Sequence, residues 1–109
     1  MGQHTHELSD AGFAAAASEV TLVDFWAPWR GPCRMQGPIL EGVAAEVGGQ
    51  ATIAMINVDE NQGSAARHGV QGIPTLILFK DGKAVSKMVG LQDKKTLLSA
   101  IRSAVGHAA

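Results

Sequence analysis

Hydrophobic positions along this chain fall into two kinds of run: short, nearly unbroken ones, and longer ones with helical spacing. Val20 to Trp26 (Val-Thr-Leu-Val-Asp-Phe-Trp) is of the first kind, the pattern of a strand covered on both faces in a parallel sheet. Thr52 to Val58 is a second such run. Thr75 to Lys80 and Lys83 to Val89 are two more, joined by Asp81-Gly82, a strong signal for a two-residue hairpin. Between the first two strands, Met35, Ile39, Val43 and Val47, with Leu40 and Ala44 beside them, make a helical stripe from about Cys33 to Val47, stopped by Gly48-Gly49. Pro38 lies inside that stripe and is expected to kink the helix, because it has no amide hydrogen and crowds the preceding turn. The alanine-rich stretch Ser9 to Ser18, which Ser9 or Asp10 can cap, predicts a short helix. Asn61 to His68 predicts another, stopped by Gly69. Asp93 caps a last helix whose apolar face is Leu97, Leu98, Ile101, Ala104 and Val105, ending at Gly106. The order α, β, α, β, α, β, β, α predicts an α/β fold with a mixed sheet and helices on both faces.

At 109 residues the chain is expected to form one domain, 1–109, with residues 1–7 loosely ordered, because two domains would each be too small to bury a core. Nine Lys and Arg against ten Asp and Glu leave a net charge of −1, and aromatic residues are 5% of the chain. Neither supports binding to nucleic acid or to an anionic membrane surface. No apolar run approaches the roughly 20 residues a membrane helix needs. The start, Met1-Gly2-Gln3-His4-Thr5-His6-Glu7, lacks both the cationic start and the apolar stretch of a secretory signal. His6 also stands where a myristoylation motif needs Ser or Thr. A reduced, cytoplasmic setting is therefore the expectation.

Chemistry is bounded by a single cysteine, Cys33. One thiol cannot close an internal disulfide or supply the several soft ligands of a zinc or iron–sulfur site. His4 and His6 could share one side of an extended segment, but no third ligand is evident, and no metal is expected. His68 and His107 sit by helix ends, where they meet carbonyls or solvent.

Around that cysteine runs Val23-Asp24-Phe25-Trp26-Ala27-Pro28-Trp29-Arg30-Gly31-Pro32-Cys33. Together with Pro38-Ile39-Leu40, Asn57-Val58-Asp59, Gly72-Ile73-Pro74-Thr75 and Val89-Gly90, it closely resembles the thioredoxin family over about Leu8 to Val105. The resemblance implies the thioredoxin fold, a central mixed sheet flanked by helices on both faces. It implies protein-disulfide reduction, with disulfide-bearing protein substrates, a reductase-like partner, a monomeric chain and no cofactor. Two features depart from the family: the first helix is short, and a first strand is hard to see in Gln3–Leu8. A third matters more. The family carries Trp-Cys-Gly-Pro-Cys, and Arg30 occupies the position of its first cysteine, the exposed nucleophile; Cys33 matches the resolving one.

Reduction of a disulfide by a dithiol needs two sulfurs, one to attack and a neighbour to resolve the mixed disulfide. Normal turnover is therefore expected to be lost or strongly impaired. Cys33 has two readings. A helix start with Arg30 and Arg34 nearby favours its thiolate, whereas the resemblance buries it beneath position 30, and burial raises a thiol's pKa. Access decides between a small inert hydrophobe and a slow monothiol nucleophile. Arg30 is either a solvated side chain or part of an anion site with Arg34. Asp24 interrupts an apolar strand, so it is a hydrogen-bonded core acid, an acid turned to solvent, or, as the resemblance implies, the buried acid that takes the resolving cysteine's proton. The family often places a lysine beside this acid, at the position of Met55, so desolvation is expected to raise Asp24. The resemblance makes Ile73-Pro74 a cis peptide and gathers Trp29, Gly31, Pro32, Ile73, Pro74, Gly90 and Leu91 into a shallow apolar surface for substrate. Three functions remain open: a disulfide reductase whose nucleophile is replaced, a non-catalytic binding module using that surface, and monothiol chemistry through Cys33.

Overall fold

Among the residues described by the computed structural model, 5–8 and 20–106, five strands make one sheet. They are β1 (His6–Leu8), β2 (Val20–Trp26), β3 (Thr52–Asn57), β4 (Thr75–Lys80) and β5 (Lys83–Val89), in the order β1-β3-β2-β4-β5. β2 runs parallel to β3 and antiparallel to β4. Its main chain is bonded on both edges and its side chains are covered on both faces, which accounts for its almost unbroken apolar sequence. β4 and β5 form the hairpin, and the turn residues Asp81 (φ 52°) and Gly82 (φ 84°) both take the left-handed backbone that a primed turn requires.

The structure places a strand at His6–Leu8, where the sequence makes one hard to see and the segment 1–7 is expected to be loosely ordered; residues 1–4 of that segment lie outside the described residues. His6, Glu7 and Leu8 pair in parallel with Ala54, Met55 and Ile56. A three-residue edge strand is held by main-chain bonds to the outer side of β3, and such a piece is too short to show a side-chain period.

Three helices lie among the described residues: α1 (Gly31–Val47), α2 (Gln62–Arg67) and α3 (Lys94–Gly106). α1 starts two residues before Cys33 because Pro32 suits the first turn, where a missing amide hydrogen leaves nothing unpaired. It continues through Pro38, which is exposed. At the head of α3 the Asp93 carboxylate accepts the Thr96 amide at 2.8 Å, the expected cap.

α1 and α3 cover one face of the sheet. Leu40, Val43, Val47, Leu97 and Ile101 pack there on Leu22, Ile53, Leu76 and Leu78. On the other face Val23, Phe25, Ile56, Ile77 and Phe79 form a second cluster. His68, directly after α2, lies against it, its ring 5.9 Å from Phe25 and 5.3 Å from Phe79. Helices thus approach both faces, as the alternating pattern predicts. The helix expected at Ser9 to Ser18, and also His4 and His107, lie outside the described residues. No helix among the described residues is long and apolar enough to cross a membrane.

Candidate functional site

The carboxyl ends of β2, β3 and β5 and the start of β4 open at one end of the sheet, because Phe25 pairs with Thr75 and Thr75 with Val89. Ligands of open α/β sheets bind at such ends. The connections there are fastened to one another. The Val58 amide donates to the Trp26 carbonyl at 2.9 Å, and the Gly90 amide to the Pro74 carbonyl at 2.8 Å. The Trp29 indole Nε1 donates to the Asp59 carboxylate at 2.7 Å, which fixes an exposed ring in place. The Ile73–Pro74 peptide bond is cis, and the Thr75 hydroxyl donates to the Gly72 carbonyl.

Gln36 performs a role that sequence reasoning missed. Fully buried in α1, its side-chain amide donates to the Gln92 carbonyl at 3.0 Å and accepts the Gln92 amide at 2.8 Å. These two bonds tie the second turn of α1 to the loop after β5. The available signal was a polar residue on the buried stripe between Cys33 and Leu40.

Cys33 sits in the first turn of α1 on its inner side, 1% exposed and unpaired. Burial pushes its thiol pKa up, and the nearby Asp24 adds to the rise. A main-chain hydrogen bond at Ala27 and the guanidinium groups of Arg30 and Arg34 pull the other way without prevailing. Of the two opposed expectations for this thiol, burial wins over the cationic helix start.

Asp24 lies in the middle of β2, flanked in register by Met55 on β3 and Leu76 on β4. It is 0% exposed, and neither carboxylate oxygen has a hydrogen-bond partner among the described residues. It is thus neither the hydrogen-bonded core acid nor the solvent-turned acid of the sequence reading. Desolvation raises its pKa to about 7. Its register partner Met55 lines a cavity of about 520 Å³, together with Thr5, Trp26, Cys33, Arg34 and Glu41.

That cavity gives Met55 a test. Met55→Lys places an ammonium beside Asp24 with open space for its stem, so the Asp24 pKa is expected to fall. Titration of the carboxyl carbon by NMR reads the shift directly. An unmoved midpoint would mean that the ammonium has turned outward to Glu41.

The remaining predicted site residues meet at the sheet end in different degrees. Trp29 is 62% exposed and Leu91 41%. Arg30 is exposed, and Gly31, Pro32, Ile73 and Gly90 are half-buried. Pro74 is buried, so it supports the surface from beneath instead of lining it. The reason is local: the cis bond leads directly into β4, and the Pro74 carbonyl is already bonded to Gly90. Among the described residues no group of three or more His, Cys, Asp or Glu is placed to hold a metal ion.

Comparison with known proteins places these features in context. The Thioredoxin family model matches residues 4–103. The chain is 51% identical over 92 residues to proteins named thioredoxin from Staphylococcus aureus strains Mu50 and MW2. Each match covers 84% of this chain and 88% of the relative.

Proposed function

We propose a function from one premise: this chain belongs to the thioredoxin family, whose class is thiol–disulfide oxidoreduction. Arg30 stands in for the family's attacking cysteine, and dithiol turnover is lost or strongly impaired. The observation that carries this reading is a sequence with one cysteine, and that cysteine buried under the active turn. An attacking thiolate leaves the protein joined to its substrate through a mixed disulfide, and release without a second protein thiol falls to an outside one. The substrate class is protein disulfides, the reductant a reductase-like partner, and the setting cytoplasmic with a monomeric chain.

Two measurements test the reading. The chain should not accelerate the reduction of insulin disulfides by dithiothreitol. Cys33 should react with an aromatic disulfide reagent roughly a hundredfold more slowly in the folded state than in denaturing urea, the protection given by a local opening of about 3 kcal/mol. Acceleration of that dithiothreitol-driven reduction by the unaltered chain would overturn the proposal. A fast-reacting Cys33 would revive monothiol chemistry, against which its burial and raised pKa now stand.

A second reading has its own support. Trp29 and Leu91 are exposed apolar side chains on loops at the same end of the sheet as Ile73, whose main-chain N–H and C=O make no hydrogen bond to a described residue. A surface of that kind suits a non-catalytic binding module that takes an extended chain.

A further inference from the structure

Resting on that binding-module reading, we propose that the sheet-end surface around Trp29, Arg30, Ile73 and Leu91 selects an extended partner segment carrying an apolar side chain next to a carboxylate. Three observations converge on this partner. Ile73 lies beyond the β4–β5 ladder, which begins at the Thr75–Val89 pair, so its N–H and C=O, bonded to no described residue, can bond an added extended segment. The apolar contact comes from Trp29, held rigid by its bond to Asp59, and from Leu91. An ordered aromatic ring is an effective anchor, because little side-chain freedom is lost on binding.

The charge preference comes from Arg30, which adjoins Trp29 and precedes α1, with Arg34 one turn further on. Both are exposed, and neither forms an ion pair with a described residue. Arg34 donates one bond from its guanidinium to the Pro28 carbonyl at 3.0 Å and lines the cavity beside Cys33 together with Glu41, so Arg30 carries the preference at this surface. The Asp59 carboxylate is engaged by the Trp29 indole. Since the whole chain has a net charge of −1, these cations are a local feature of this end of the sheet and not an expression of a basic protein. A guanidinium without a partner at the edge of an apolar surface favours a carboxylate and disfavours an ammonium.

The test uses the intact chain and three disulfide-free peptides, acetylated and amidated, identical except for Glu, Gln or Lys beside a central Leu. Binding is read from amide shifts in NMR spectra. The Glu peptide should bind about fivefold more tightly than the Gln peptide at low salt, with the Lys peptide weakest, and with shifts at residues 29, 30, 73 and 91. Arg30→Gln should remove the Glu preference while leaving the apolar binding, and Arg30→Lys should restore part of it. Equal binding of the three peptides at this surface overturns the acid preference and leaves the binding-module reading standing. Absence of binding by any peptide at millimolar concentration overturns both. Shifts confined to another face, or concentration-dependent self-association through these residues, also overturn the proposal.

Discussion

Arg30→Cys is expected to convert a chain without dithiol turnover into one that reduces protein disulfides repeatedly with dithiothreitol as the electron source. Position 30 can accept the change without rebuilding the turn. Its backbone (φ −96°, ψ 127°) suits any L residue, and the turn is held by main-chain bonds, Arg30 amide to Ala27 carbonyl and Arg34 amide to Arg30 carbonyl. Residues three apart at a helix start are direct neighbours, and a disulfide needs Cα atoms within about 7 Å of each other. The new thiolate would attack a substrate disulfide, forming a mixed disulfide and expelling one substrate thiolate. The Cys33 thiolate would then attack the new residue's sulfur, closing the internal disulfide and releasing the second substrate thiol. Two electrons pass from the sulfur pair to the substrate, and dithiothreitol returns them. Effective molarities of well-oriented neighbours reach about 10⁵ M or more, far above millimolar external thiol, so turnover should rise at least about tenfold. A control follows from the same logic: adding Cys33→Ser to Arg30→Cys should stop turnover and trap the mixed disulfide. A revertant no faster than the parent chain would show that more than the missing sulfur is wrong with the site.

How much of this could be read from the sequence depended on the range of the interaction involved. β2, β4, α1 and α3 were legible because each carries its own period and its own stop signals: the Asp81-Gly82 turn, the Asp93 cap, the glycines after Val47. β1 was not, since three residues held by main-chain pairing to β3 leave no side-chain pattern. Asp24 stood out as an anomaly, a carboxylate inside an apolar run. That it is left without any partner among the described residues depends on Met55 and Leu76, brought alongside by strand register. Gln36 and Gln92 are 56 residues apart, and nothing local to either announces their reciprocal bonds. The same holds for Trp29 and Asp59, thirty positions apart. Local propensity shaped the elements, and tertiary contacts placed the chemistry.

The second large effect is expected in stability, and its dependence on pH identifies its cause. Asp24 has a folded-state pKa of about 7 against an ordinary value of 3.8. Well below pH 3.8 the acid is neutral in both folded and unfolded chains and contributes no penalty. Between pH 4 and 7 the unfolded chain releases the proton while the folded one keeps it, so stability falls as pH rises. Above about pH 7 the penalty is complete, at most about 4 kcal/mol from a shift of some three pH units. Asp24→Asn has nearly the shape of the protonated acid and never ionises. Urea denaturation should therefore find the variant about equal to the parent near pH 3, and more stable by roughly 2–4 kcal/mol at pH 8. Other titrating groups, including His68, whose pKa is lowered chiefly by burial, cancel in the difference between the two proteins. An equal gain at both pH values would trace the effect to packing, and no gain at pH 8 would mean that the folded acid is not desolvated. A buried, unpaired acid that weakens the fold at neutral pH, next to a buried thiol, suits proton transfer better than structural support. Adding Asp24→Asn to Arg30→Cys should accordingly slow turnover while the fold becomes more stable, two effects of opposite sign that a purely structural role for Asp24 would not produce together.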